Sequence, residues 1–235
     1  MDSWFASILA ETQLAPEAAY RLQTDGFVVM PGPLPVARLA GLAQRYDEAV
    51  SGASSEDVKV GSTTTRVRDF VNRHAEFDGI YLYPPILQAC CRTIELPFKL
   101  STLHARTLKS RTPAQQLHVD FPSDAQGWPM VGFIFMIDDF APGNGATCFI
   151  PGSQGVEAPP DSSRLVPACG PAGSVIVYNG AVWHGHGPNH TDIPRRSIQS
   201  AYIRRTEDSG ENLPARMMPE TLDRIGALAK YLLAV

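Results

Sequence analysis

From Leu96 onward the chain becomes a series of short apolar segments separated by turn chemistry, and that rhythm restricts the fold more than any other feature. Strands are expected at 99–109, 116–120, 131–137, 147–150, 164–166, 174–178, 182–186 and 197–204. The gaps carry Pro122-Ser-Asp124, Ala141-Pro-Gly-Asn-Gly145, Pro151-Gly-Ser153, Gly170-Pro-Ala-Gly173 and Asn179-Gly180, residues that reverse a chain through fixed or positive φ or by capping their own backbone. Strands this short cannot each bury a face alone, so they close into a barrel or stack as a sandwich. The expected class is therefore mainly β with flanking helices, arranged as a double-stranded β-helix (jelly roll). The content of Gly 19 and Pro 20 agrees with a turn-rich β-protein.

Before Leu96 the pattern differs. Pro16 to Thr24 is helix-compatible, Asp25-Gly26 turns the chain, and Phe27-Val-Val-Met30 reads as a strand stopped by Pro31-Gly-Pro33. After Pro35, apolar residues at Leu39, Leu42, Ala43, Tyr46, Ala49 and Val50 form one stripe of a helix ending near Gly52. Residues 53–65 are small, polar and aperiodic and are expected to form a connecting loop; another helix is expected between Pro85 and Ile94. Leu222, Ile225, Leu228, Ala229 and Leu232 predict one amphipathic C-terminal helix. The 235 residues fit a single domain: a mainly helical N-terminal part (1–95), a jelly-roll core (96–205) and a C-terminal helix (206–235).

Charge narrows the partners. Lys+Arg 20 against Asp+Glu 24 leaves a net charge of −4, with no basic footprint for nucleic acid and no evident basic cluster for a long polyanion. No apolar run is long enough for a membrane span, and no basic segment precedes the apolar residues at the N-terminus. Cys90, Cys91, Cys148 and Cys169 show no C-x-x-C spacing, and no disulfide framework is expected. These features predict a cytoplasmic protein acting on a small molecule.

Two segments carry the chemistry. In Gln116-Leu-His118-Val-Asp120, a strand would project His118 and Asp120 to the same side. In Trp183-His184-Gly-His186-Gly-Pro-Asn-His190, three histidines compete to complete a two-histidine, one-carboxylate face. Such a face suits non-heme Fe(II), because it leaves open positions for oxygen ligands. An oxoacid cosubstrate would also need a planar, bidentate cationic donor for its far carboxylate, which Arg provides and Lys does not. Arg195 and Arg196 stand at the start of the last strand, where only one can face inward.

The run from His184 to Arg195, with His118-Val-Asp120, Asn144-Gly145 ahead of Pro151-Gly-Ser-Gln154, and the opening Gly26-Phe-Val-Val-Met-Pro31, resembles the phytanoyl-CoA dioxygenase-like family of Fe(II)/2-oxoglutarate oxygenases over most of the chain. The resemblance implies that the distal iron ligand lies eleven residues before the 2-oxoglutarate arginine, which selects His184 and Arg195. It therefore implies iron on His118, Asp120 and His184, with 2-oxoglutarate and O2 as cosubstrates. The activity it implies is oxidation, most simply hydroxylation, of a C–H bond, with release of succinate and CO2; desaturation, epimerisation or ring closure are alternative outcomes between which no residue chooses. Family members that halogenate replace the ligand carboxylate with a small residue; Asp120 is retained here, which disfavours halogenation. His186 stands where the family commonly has a small hydroxyl residue near the cosubstrate. The usual Gly-Asp before the sixth strand is Gly173-Ser174, and Gln154 ends a turn that usually ends in His.

Around this centre, one of Gln115 and Gln116 is expected to reach cosubstrate or substrate, Gln115 being the choice. His104 either lines the mouth of the site or is a satisfied strand residue, and Trp128 forms either a substrate wall or a hydrophobic plug. Phe121, Trp128, Phe133 and Phe135 suggest a small, partly hydrophobic substrate, a secondary metabolite or modified amino acid rather than a coenzyme A thioester. Asp138-Asp139 reads as a solvated turn. The alternatives are a non-redox cupin-like protein binding a metal or small ligand, which needs no inward arginine beside the metal, and a catalytically silent module, which predicts a missing ligand.

Overall fold

A computed structural model describes residues 2–235. In chain order the helices are α1 (Ser3–Ala10), α2 (Pro16–Thr24), α3 (Val36–Ser51), α4 (Asp78–Tyr81), α5 (Pro84–Ile94), α6 (Leu213–Arg216), α7 (Pro219–Arg224) and α8 (Ala227–Leu233). The strands are β1 (Phe27–Pro31), β2 (Val58–Val60), β3 (Thr64–Val67), β4 (Phe98–Leu108), β5 (Met130–Met136), β6 (Thr147–Phe149), β7 (Val166–Pro167), β8 (Ser174–Asn179), β9 (His184–His186) and β10 (Arg195–Arg204).

The strands form an antiparallel seven-stranded sheet in the order β1-β8-β5-β10-β4-β3-β2 and a three-stranded sheet β7-β6-β9. Period-two alternation assigns each face of the large sheet a different neighbour. Phe133 and Phe135 on β5, Val175 and Val177 on β8, Leu103 and Ala105 on β4, and Ile198 on β10 join the core shared with α1–α5 and α8. Ile134, Met136, Ile176 and Tyr178 point the other way and pack with Phe149 and Val182. On β4 the inward residues are instead Thr102, His104 and Arg106, which line a cavity. The apolar positions that hold the helices thus alternate with the positions that build the site.

Several expectations are corrected. Residues 53–65 are not simply a loop: β2 and β3 form a hairpin, closed by the Gly61 amide donating to the Thr64 carbonyl at 2.8 Å, on the free edge of β4. With β1 paired to β8, the largely helical N-terminal part contributes three strands to the large sheet. No regular strand spans 116–120. Gln115 pairs with His186 and His118 with His184, so the site segment has one residue more than β9 between those pairs, and the ladder is interrupted. The strand expected at 164–166 is a 3-10 turn followed by β7. The C-terminal helix is broken, because Ile225 and Gly226 are extended between α7 and α8. α1, which shows no strong period, is closed at its start by the Asp2 carboxylate accepting from the amides of Trp4 and Phe5. All four cysteines are free thiols. Among the described residues, no helix is long and apolar enough to cross a membrane.

Candidate functional site

Antiparallel bonding between the His118 and His184 backbones, 3.0 Å in both directions, carries the two imidazoles into contact, with ring centroids 4.5 Å apart. The next turn of chain places Asp120 between them: Asp120 Oδ1 is 3.5 Å from His118 Nε2, and Oδ2 is 3.5 Å from His184 Nε2. One donor atom from each of the three residues lies within 4.8 Å of the others. Each ring is oriented from behind, since Nδ1 of His118 lies 3.1 Å from the Gln116 carbonyl and Nδ1 of His184 lies 3.0 Å from the Val182 carbonyl. With Nδ1 of each ring directed at a carbonyl, Nε2 of each ring is the atom turned towards the carboxylate and available to a metal.

Burial grades across this group. The His184 side chain is 7% exposed, against 35% for His118 and 30% for Asp120, so the cluster opens to one side. Burial alone would push the Asp120 carboxyl up. The His118 hydrogen bond, the charge of His184 and the Tyr178 hydroxyl outweigh it and hold Asp120 well below the usual carboxylate range. His118 is raised by its hydrogen bond to Asp120, whereas burial lowers His184. Tyr178 donates to Asp120 Oδ2 at 2.7 Å, fixing that carboxylate from within the sheet interior. A Cβ on Gly132, its direct partner across β5 and β8, would collide with the Tyr178 ring.

The three residues line a cavity of about 400 Å³ together with Gln115, His186, Arg195, His104 and Phe121. Strand parity settles the choice between the two arginines. Arg195 faces inward, 3% exposed, while Arg196 faces outward and pairs with Asp138 of the turn after β5 and Asp47 of α3. The Arg195 guanidinium lies 3.9 Å above the Phe140 ring, and its Nε and Nη1 have no hydrogen-bond partner in the protein. Burial, with the charge of Arg106, lowers its pKa to about 9. An inward fork of unsatisfied donors is suited to an oxoacid carboxylate.

His186 lines the same cavity, held between the Gly187 carbonyl at 2.9 Å and the Thr63 hydroxyl at 3.2 Å; burial lowers its pKa to about 4, so it is neutral. Gln115 accepts from Arg106 Nη2 at 3.2 Å, whereas Gln116 is exposed. His104 projects into the cavity with an unpartnered Nε2, and burial together with Arg66 and Arg106 lowers its pKa to about 3.

Other residues lie elsewhere. Trp128 is outside the cavity, in a groove with Leu14 and Gln154, its ring packed against Gly155. Phe133 and Phe135 are fully buried on the helix side of the sheet, so they cannot line the site. His190 is exposed and only its amide is used, donating to Gly143. Asp138 and Asp139 are structural rather than merely solvated: the first binds Arg196, and the second accepts from the Ala172 amide at 2.7 Å. Tyr178, Arg106, Gln199 and Arg66, all on strands, complete the cavity but have no distinctive sequence motif.

The family model for phytanoyl-CoA dioxygenase (PhyH) matches residues 22–197. The chain belongs to the phytanoyl-CoA dioxygenase family. It is thus a dioxygenase-type enzyme of the Fe(II)/2-oxoglutarate class on a jelly-roll scaffold. The dioxygenase Trt7 of Aspergillus terreus is 28% identical over 80% of this chain and 72% of its own length. The dioxygenase SphC of Aspergillus fumigatus is 27% identical over 80% of this chain, which spans only 58% of that protein. The structure of the epimerase SnoN, in complex with Fe3+, alpha-ketoglutarate and nogalamycin RO, shares the fold with a TM-score of 0.68 at 21% identity, covering 86% of this chain and 89% of SnoN.

Proposed function

We propose that His118, Asp120 and His184 hold Fe(II), that Arg195 binds the remote carboxylate of 2-oxoglutarate, and that the enzyme hydroxylates a C–H bond of a small molecule with release of succinate and CO2. The single observation that carries this reading is the combination in one cavity of a three-donor face and a buried arginine whose Nε and Nη1 lack protein partners. A site built only to hold a metal has no use for such an arginine, and a silent module has no need to keep all three donors.

The residues fit the iron and the oxoacid on chemical grounds. Two neutral imidazoles and one carboxylate cover one face of an octahedron and leave positions for oxygen ligands. When bound, iron with 2-oxoglutarate and O2 supplies the oxidising power for an unactivated C–H bond. The chain supplies position. Backbone carbonyls orient both histidines, Tyr178 restrains Asp120, and Phe140 supports the flat face of Arg195. His186 and Gln115 close the wall beside the cosubstrate, and Phe121 and His104 border the substrate space. A role in secondary metabolism accords with the nogalamycin compound in the SnoN structure.

Anaerobic addition of Fe(II) and 2-oxoglutarate tests the reading through the visible metal-to-ligand charge-transfer band. The wild type should develop the band, His184→Ala should lose iron, and Arg195→Ala should retain iron while requiring much more 2-oxoglutarate. Absence of the band from fully metal-loaded wild type overturns the proposal. Iron binding that survives His184→Ala but not His186→Ala overturns the ligand assignment.

A further inference from the structure

Arg66 and Arg106 face each other directly across β3 and β4, and both line the cavity that contains the metal-ligand cluster. Like charges directly opposite on neighbouring strands repel, and the repulsion grows as water is excluded. The pair is not neutralised locally. Among the described residues, neither guanidinium has a carboxylate within 4.0 Å. Arg106 instead donates to two uncharged oxygens, Gln199 Oε1 at 3.0 Å and Gln115 Oε1 at 3.2 Å. Asp120, whose charge does reach Arg106, is already engaged by His118, His184 and Tyr178. Asp208 also borders the cavity, but beside Ser101, whose carbonyl accepts from Ser209. That end of β4 is roughly 16 Å along the strand from Arg106 at about 3.3 Å per residue.

The cavity therefore holds a second concentration of unneutralised positive charge in addition to Arg195. Arg195 pairs in register with Leu108, two residues beyond Arg106 on β4. The two backbone levels are about 6.6 Å apart along the strand. With the remote carboxylate of 2-oxoglutarate on Arg195, the Arg66–Arg106 pair is left for another anion. We infer that the substrate carries an oxyanion, a carboxylate or phosphate, which docks between Arg66 and Arg106 and directs the adjoining carbon skeleton towards the metal cluster. Gln115 and Gln199 hold the Arg106 fork in place without neutralising it, and neutral His104, on the same face of β4, adds an unpartnered ring nitrogen beside the docked group. The small cavity suits a compact acid rather than a long polyanion.

This inference rests on the oxygenase reading, and its test separates the two. Ni(II)-loaded protein saturated with 2-oxoglutarate is titrated calorimetrically with benzoate and with phenyl phosphate. Wild type should bind at least one of them, and Arg66→Gln and Arg106→Gln should each weaken that binding by about tenfold or more, as expected for loss of a charge-assisted bond. The preferred probe distinguishes carboxylate from phosphate. Without an added anion, Arg66→Gln should melt no lower than wild type, because one of two repelling charges is gone; a merely structural arginine would give the opposite result. Failure of both probes to bind wild type, or equal binding by wild type and both variants, overturns the inference. So does a loss of 2-oxoglutarate affinity in Arg106→Gln as large as that in Arg195→Ala, since the pair would then serve the cosubstrate. Absence of the Fe(II)/2-oxoglutarate charge-transfer band in wild type instead defeats the oxygenase reading, and is measured separately.

Discussion

Replacing Arg195 with Met should make the ligand-free protein more stable and the loaded protein less so. The side chain is 3% exposed, and two of its three guanidinium nitrogens have no protein partner. An unsatisfied buried donor costs about 1–3 kcal/mol, while a cation over an aromatic face returns about 0.5–2 kcal/mol. Cavity water relieves part of the cost. Met retains much of the hydrophobic contact with Phe140 and has no donor to satisfy. A net gain of roughly 1–2 kcal/mol follows, which for a domain of this size corresponds to about 2–8 °C in melting temperature. Ligand should reverse the order. With Ni(II) and 2-oxoglutarate at about 100 times the wild-type Kd, linkage stabilises wild type by about 2.7 kcal/mol, and the variant, with much weaker affinity, gains far less. Differential scanning calorimetry with and without the two ligands measures both effects. A ligand-free Arg195→Met protein that melts below wild type would refute the argument, because the guanidinium would then be satisfied before any anion arrives.

Tyr178→Phe removes the 2.7 Å bond to Asp120 and should weaken Ni(II) or Fe(II) binding by about 10- to 100-fold in a metal titration, with little change in fold; unchanged affinity would show that Asp120 needs no support. Gly132→Ala should destabilise the protein by about 1–3 kcal/mol in denaturant unfolding and disturb metal binding as well, because the new methyl group meets the Tyr178 ring. His104 predicts an acid-side loss of stability. Burial, Arg66 and Arg106 lower its folded pKa to about 3, so between about pH 6.5 and 3 the unfolded chain binds the extra proton and stability falls as pH falls. His104→Gln should flatten that part of the stability profile, and an unaltered profile would place the loss on other groups.

Much of the architecture is local and therefore readable from sequence. Alternation along β5, β8 and β10, the stripe of α3 and the turn residues between strands depend on neighbours within a few positions. The hairpin β2–β3 is hidden because its strands, of three and four residues at a sheet edge, are too short to set a period against the polar residues around them, and the broken C-terminal helix is hidden because residues on both sides of Gly226 keep helical spacing. Trp128 shows a further limit: adjacency to the metal segment in the chain does not determine on which side of the β5 entrance a ring will pack.

The sequence by itself determined the family, the strand-rich class and the types of donor available, because these depend on composition, spacing and motif. The family spacing selects the donors, and the tertiary structure decided how they are brought together. The backbone pairing of His118 with His184 brings residues 66 positions apart into one cluster, and the register of β10 sends Arg195 inward and Arg196 outward. Tyr178 reaches Asp120 from a different strand, and Arg66 meets Arg106 across a hairpin edge. An acidic chain with no basic cluster can therefore still gather Arg66, Arg106 and Arg195 around one cavity, since charge adds up through space and not along the chain.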